Sequence, residues 1–249
     1  MNAFGLEFFK LRRKHLPLMI VLFLCVELGW VFASVSMSLA RNPDGTGWEA
    51  MLATVSSMNG LFLPILAAVV VSRLCDMEHK GNTWGLLMAA AVNKNQLYAA
   101  KYTCANVLLC FAAMMQVMVV VGIGYGLSFT DPVPFSLLIA YLWGTVLTNL
   151  VVIGLQQWVS IMLNNQAFCL SLGMIGGFIG MTSDLFPSEI GRLFIWSYYS
   201  GLSPVTYQYV NQSMEFVTRS SGVVLPMGVL AMVVVVYGAG SYFASRREV

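Results

Sequence analysis

The sequence predicts an all-α membrane protein with six transmembrane helices, an amphipathic N-terminal helix and a cytoplasmic helix between spans two and three. Three observations carry this. Hydrophobic residues make up 58% of the chain and charged residues only 10%, against about 25% charged in soluble domains. Six apolar runs have the length, roughly 20 residues, that a helix needs to cross the hydrocarbon layer. The runs are continuous, whereas a membrane β-barrel would show short alternating segments.

The runs lie at Leu16–Ala40, Met51–Leu74, Cys104–Leu127, Pro134–Leu163, Ala167–Leu185 and Val223–Ala244. Turn residues separate them: Asn42-Pro43-Asp44-Gly45 after the first, Asp131-Pro132 after the third, Asn164-Asn165 after the fourth. The start, Met1 to His15, is charged and amphipathic, and the run behind it is too long for the core of a cleaved signal peptide. The first run is therefore expected to stay as a span. No internal repeat or low-complexity segment is evident, and residues 1–249 read as a single transmembrane domain.

Basic residues set the expected orientation, since they concentrate on the cytoplasmic side. Lys10, Arg12, Arg13, Lys14, Arg73, Lys80, Lys94, Lys101, Arg246 and Arg247 fall on one side, which is 10 of the 13 lysines and arginines. Arg41, Arg192 and Arg219 fall on the other, with Asp44, Glu49, Asp131, Asp184, Glu189 and Glu215. Both chain ends are thus expected in the cytoplasm. A net charge of +2 is too small to suggest nucleic acid as a partner.

Catalytic readings find little to stand on. The sequence has neither Gly-x-x-x-x-Gly-Lys-Ser/Thr nor His-Glu-x-x-His. Its two histidines, His15 and His79, sit at cytoplasmic edges, far from any intramembrane serine, and paired aspartates within spans are missing. The five cysteines, Cys25, Cys75, Cys104, Cys110 and Cys169, lack metal-site spacing and fall in apolar or cytoplasmic segments. They read as packing residues. No catalytic, cofactor or metal site is expected.

Polar residues within the spans are the remaining candidates. Glu27 is the one ionisable group deep in a span, and inserting a carboxylate there costs at least about 2.5–3.5 kcal/mol. It should face protein or water, either at a helix contact or along a substrate path or subunit seam. Gln116, Asn149, Gln156 and Gln157 are expected to bond across helices, and Gln156 and Gln157 could also line a path. In the fifth run Gly173, Gly176, Gly177 and Gly180 form two overlapping Gly-x-x-x-Gly registers, which let backbones approach closely. That contact lies either within the chain or at a seam with another subunit. Pro64 is expected to kink the second span.

The stretch from Arg73 to Lys101 is the most informative. Asp76, Glu78, His79 and Lys80 form a charged patch that ends at Gly81. Asn82 or Thr83 can cap a following amphipathic helix, on which Trp84, Leu87 and Ala91 recur at helical spacing. Such a helix either rests in the membrane interface or docks into a groove of a soluble partner.

Glu78, Lys80-Gly81-Asn82-Thr83, Leu86-Leu87, Val92-Asn93-Lys94 and Lys101 resemble the cytoplasmic motif of type-2 ABC export permeases. Asn82-Thr83-Trp84 is similar to the lantibiotic-immunity and bacitracin-resistance branch. Ala91 and Asn93 stand where the family usually has proline and serine. Ile195-Trp196-Ser197-Tyr198-Tyr199 resembles its Pro-Trp-Ser-Tyr-Pro segment without either proline. The resemblance implies a permease domain that works with a second permease, identical or homologous with a heterodimer favoured, on two separate ATPase subunits that carry the ATP and magnesium. Asp76, Glu78, His79, Lys80, Gly81, Asn82, Thr83 and Trp84 would then couple nucleotide-driven motion to the membrane.

The expected function is the permease subunit of an exporter in the bacterial cytoplasmic membrane that expels a lantibiotic-type antimicrobial peptide and so confers immunity. Another cargo (lipid, glycan or drug) and a non-transporting scaffold or signalling subunit are the alternatives. The aromatic segment Phe186–Tyr209 reads as an interfacial anchor, or as a surface meeting the peptide through Trp196, Tyr198, Tyr199 and Tyr207.

Overall fold

Long apolar runs fold here into long helices. The computed structural model describes residues 15–42, 46–80, 94–163, 165–210, 213–219 and 222–246. Helices α1 (Leu16–Arg41), α2 (Trp48–Lys80), α3 (Lys94–Gly126) and α4 (Phe135–Met162) are followed by a shorter α5 (Gln166–Met181). A 3₁₀ turn at Ser183–Leu185, a short α6 (Ser188–Gly191), a second 3₁₀ turn at Ile195–Ser197 and a short α7 (Tyr198–Gly201) come next. Strands β1 (Val205–Val210) and β2 (Ser213–Thr218) then precede the last long helix, α8 (Val224–Arg246).

Five of these helices, α1 to α4 and α8, are long and apolar enough to cross a membrane. The sixth expected span is different. α5 has 16 residues, about 24 Å of helix against a hydrocarbon layer of roughly 30 Å. It stops at Met181 rather than at the expected Leu185 because Thr182 and Ser183 turn the chain: the Thr182 hydroxyl bonds back to Phe178 O at 2.7 Å, and that of Ser183 to Gly180 O at 2.7 Å. The structure is an all-α membrane bundle as expected, with one small addition. β1 and β2 pair antiparallel, with Val205 opposite Thr218 and Val210 opposite Ser213. The second and third helices overrun their predicted ends, α2 reaching Lys80 and α3 starting at Lys94.

α2 lies at the centre of the bundle. Of its most apolar stretch 61% is buried, against 11% for α8. α5 runs antiparallel along it. The Cβ positions of Gly173, Gly177 and Gly180 face Ala68 and Pro64, then Leu61, then Gly60 of α2. A methyl group on Gly60 would stand 2.7 Å from the Gly180 carbonyl carbon, so the two backbones touch. Pro64 contributes to this contact. It has no N–H to give to the carbonyl four residues earlier, which belongs to Gly60 and lies against Gly180.

At the end of the bundle that carries the α1–α2 and α3–α4 connections, here called distal, Trp48 locks α2 to α3. Its ring fills the space left by Gly124, meets Phe129 edge-on at 5.3 Å, and its indole N–H donates to Asp131 O at 2.9 Å. At the opposite, proximal end the buried Lys101 donates from Nζ to Leu74 O at 2.7 Å. α8 packs through Leu225, Val229 and Val236, and its Gly240 closes on the Tyr98 ring.

The glycine contacts generate a prediction. A Cβ on Gly177 would lie 2.7 Å from Leu61 O. Gly177→Leu is expected to lower stability by about 1–3 kcal/mol through overpacking. Gly238→Ala, with nothing within 4 Å, should leave it equal or slightly higher, by up to about 1 kcal/mol. Thermal unfolding midpoints in detergent decide this, and a Gly177→Leu protein as stable as the parent would remove the backbone contact as a stabilising feature.

Candidate functional site

Four helices meet at a polar cluster in the middle of the bundle. Glu27 of α1 is 1% exposed and Gln116 of α3 is fully buried. Gln116 Nε2 donates to Glu27 Oε2 at 2.9 Å and to Asn59 Oδ1 of α2 at 2.8 Å. Asn59 Nδ2 donates to the Tyr141 hydroxyl of α4 at 2.7 Å, and that hydroxyl donates to Gln116 Oε1 at 3.3 Å. Every polar atom of the Gln116 carboxamide is used. The network closes on itself within the four helices whose Leu28, Val31, Leu63, Val120 and Leu138 belong to the buried hydrophobic core. Burial of this many polar groups is tolerable because each partner satisfies another; Glu27 Oε1 alone has no partner there.

The distal segment after α5 reaches down to the same region. Tyr199 is buried and donates its hydroxyl to Asn149 Oδ1 of α4 at 2.7 Å. Ser203 donates to Ser56 Oγ of α2 at 2.9 Å. Irregular backbone at this depth must find partners within the protein, and serines supply them. Ser197 bonds to Phe194 O and Gly191 O, while Ser183 and Ser200 share a bond of 2.9 Å. The segment is therefore a folded plug rather than a loose loop.

Nearer the proximal end, Gln157 of α4 donates to Tyr98 O of α3 at 2.9 Å. Gln156 reaches α5: with its amide oxygen turned toward Gly173, it accepts from Gly173 N at 3.1 Å and its nitrogen donates to Cys169 O at 3.2 Å. Both side chains are buried and bonded between helices. All five described cysteines are free thiols, with Cys25 exposed and Cys75, Cys104 and Cys169 buried.

The structure brings some predicted site residues together and separates others. Glu27 joins Gln116 in the central cluster; Asn59 and Tyr141, the other half of that cluster, are additions from the structure. Gly173, Gly177 and Gly180 face α2, whereas Gly176 faces the indole of Trp196. Trp196 thus packs against the core. Tyr198 and Tyr199, read from sequence as peptide-facing, are 6% and 3% exposed. Both rings are buried, Tyr198 at the wall of a distal cleft, and their hydroxyls are already donating, that of Tyr198 to Arg192 O at 2.9 Å. Tyr207 is partly exposed and lines a distal cleft. Asp76, Glu78, His79 and Lys80 form the last turns of α2; Gly81, Asn82, Thr83 and Trp84 lie outside the described residues, as does the expected N-terminal amphipathic helix.

A bundle of this kind is shared by many membrane proteins, so its lineage rests on sequence comparison. Residues 3–180 match the model of a family described as ABC-2 family transporter protein. The chain belongs to that ABC-2 family. The match runs through α1 to α5, including the whole central cluster and the connection from α2 to α3. A comparison with curated proteins finds no match. Proteins of the ABC-2 family are membrane components of transporters, which fits a chain whose buried polar groups bond one another rather than converge as an acid, a base and a nucleophile.

For an ABC-2 membrane subunit the central cluster is a structural keystone, and its removal should be asymmetric. Gln116→Leu strands Glu27, Asn59 and Tyr141 and is expected to destabilise the protein by about 1–3 kcal/mol. Glu27→Gln, which keeps an acceptor for Gln116, should cost much less. Thermal unfolding of the two variants in detergent checks this; equal losses would show that the bond from Gln116 to Glu27 does not hold the helices together.

Proposed function

We propose that this chain is the permease subunit of a bacterial ABC exporter that expels a lantibiotic-type antimicrobial peptide from the membrane. The single observation that carries the permease assignment is the family match over residues 3–180. ATP hydrolysis is assigned to two separate ATPase subunits, in keeping with the lack of a phosphate-binding Gly-x-x-x-x-Gly-Lys-Ser/Thr in the sequence. The charged end of α2 and the segment after it, Asp76 to Trp84, are where those subunits would dock. A second permease, homologous to this one, would complete the membrane part. Among the described residues Arg73, Lys80, Lys94, Lys101 and Arg246 lie toward the proximal end and only Arg41, Arg192 and Arg219 toward the distal end, so the proximal side is assigned to the cytoplasm, and with it both chain ends.

The cargo reading rests on the similarity of Asn82-Thr83-Trp84 to the immunity branch and on the form of the distal end. That end presents Phe186, Leu185, Ile190 and Leu193 to its surroundings. An exposed apolar rim at bilayer height suits an amphipathic molecule already lodged in the outer leaflet better than a polar solute arriving from the cytoplasm.

Affinity purification in mild detergent, with identification of the co-purifying chains, is expected to yield an ATPase and a second permease. Glu78→Ala combined with Lys80→Ala should lower stimulation of that ATPase at least about tenfold if the charged pair anchors the docking helix, with membrane insertion unchanged. Unaltered stimulation would sink the docking assignment. Expression should lower the sensitivity of a susceptible host to a lantibiotic; unchanged sensitivity with an intact ATPase complex would keep the permease and discard the peptide.

A further inference from the structure

The distal end contains a cleft of about 610 Å³. Its lining mixes three kinds of wall. Arg192, Arg219 and Asp184 supply charge; Ser183, Ser197, Ser200, Thr206 and Tyr207 supply polar side chains; Phe186, Val224 and Leu225 are apolar. We propose that this cleft binds the phosphate headgroup of an anionic lipid of the distal leaflet, with the acyl chains lying along the exposed face of α8.

Two arginines and one aspartate are among the lining residues, so their formal charges sum to a net positive one. Arg219 spends one nitrogen on Gly201 O, which leaves most of its five N–H donors. Arg192 is exposed, and its side chain makes no hydrogen bond or ion pair among the described residues. The serine hydroxyls already donate inward: Ser183 to Gly180 O, Ser197 to Phe194 O, Ser200 to Ser197 O. The Tyr198 hydroxyl donates to Arg192 O, which takes up one of the two lone pairs of that carbonyl. Among the lining side chains the cationic donors are the two guanidinium groups, which can pair with phosphate oxygens bidentately. Val224 and Leu225, at the first turn of α8, add the positive end of a long helix to the same wall.

Depth and continuity select a lipid as the source of that phosphate. α8 has 23 residues, about 35 Å, and ends at Arg246. A helix of that length spans the bilayer, so its first turn lies at headgroup height. Below the cleft, Val224, Met227, Leu230, Val234 and Val235 recur on one side of α8 and are all exposed, Val224 at 86% and Val234 at 72%. The opposite side, Leu225, Val229 and Val236, is packed into the protein. An apolar strip thus leads from the guanidinium groups toward the bilayer centre, as a headgroup with attached chains requires and a free phosphate does not. The inference stands whether or not the exported cargo is a peptide.

The test uses the full chain, purified with its co-purifying subunits and placed in nanodiscs of phosphatidylcholine containing a minor fraction of phosphatidylglycerol. After re-extraction into detergent, retained lipid is quantified by mass spectrometry. The parent protein is expected to keep phosphatidylglycerol in preference to phosphatidylcholine, and Arg192→Gln with Arg219→Gln to lower that retention about tenfold. Arg192→Gln alone, which breaks no side-chain bond among the described residues, should lower it several-fold and keeps the test open if the double variant folds poorly. An excess of inorganic phosphate in the wash should leave the lipid in place; complete displacement would overturn the lipid assignment. Equal retention of both lipids, or the same retention in parent and variants, overturns the site. So does disulfide crosslinking of Val234→Cys between two copies with no retained phosphatidylglycerol, which would mean that a second permease covers this face.

Discussion

The backbone contact between Gly60 and Gly180 is the constraint on which much of the molecule depends. Within lipid there is no hydrophobic gain from bringing two helices together, so close packing has to supply the attraction. Glycines 173, 177 and 180 remove the side chains that would hold α5 away from α2. Once α5 lies this close, Gly176 on its neighbouring side leaves a slot that the Trp196 ring fills. The segment from Ser183 to Ser203 is thereby folded back onto α2, α4 and α5, and its irregular backbone is satisfied by serine hydroxyls from within.

The central cluster performs a related task for the other helices. Gln116 binds one partner on α1 and one on α2 while accepting from α4. Four helices are held in one register by a single carboxamide. A hydrophobic contact could slide by a residue at small cost; a set of bonds with fixed donor and acceptor positions cannot. Glu27 therefore reads first as a partner of Gln116, and nothing in the network requires it to move a proton.

Much of the architecture was legible in the sequence, and the gaps have physical causes. Apolar runs located the six main helices because transfer into lipid dominates their energetics. Gln116, Asn149, Gln156 and Gln157 stood out as polar interruptions, and all four bond to another element. Asn59 and Tyr141 did not stand out: a tyrosine is ordinary in a membrane helix, and one asparagine beside a glycine resembles a packing position. The end of α5 was missed because hydropathy stays high through Leu185 and Phe186, and the polar Thr182-Ser183-Asp184 was too brief to outweigh it. The hairpin did carry a signal, the β-branched and aromatic residues of Val205–Val210 and of Phe216-Val217-Thr218 on either side of Asn211-Gln212, hidden by its position between two apolar runs. The burial of Tyr198 and Tyr199 had none. Aromatic residues of an interface and of a plug look the same until the partner helices are in place.

α2 is continuous from Trp48 to Lys80, and the only proline within it is Pro64. The 16 residues beyond that proline form a stiff rod of about 24 Å, and sharp bending of a helix concentrates at proline. Any displacement of the proximal end of α2 would therefore concentrate its bending at Pro64. That point faces Gly173, one helical turn from the Gly60–Gly180 contact. Stiffness in α2 thus runs unbroken from its proximal end to the turn beside the place where the two backbones touch.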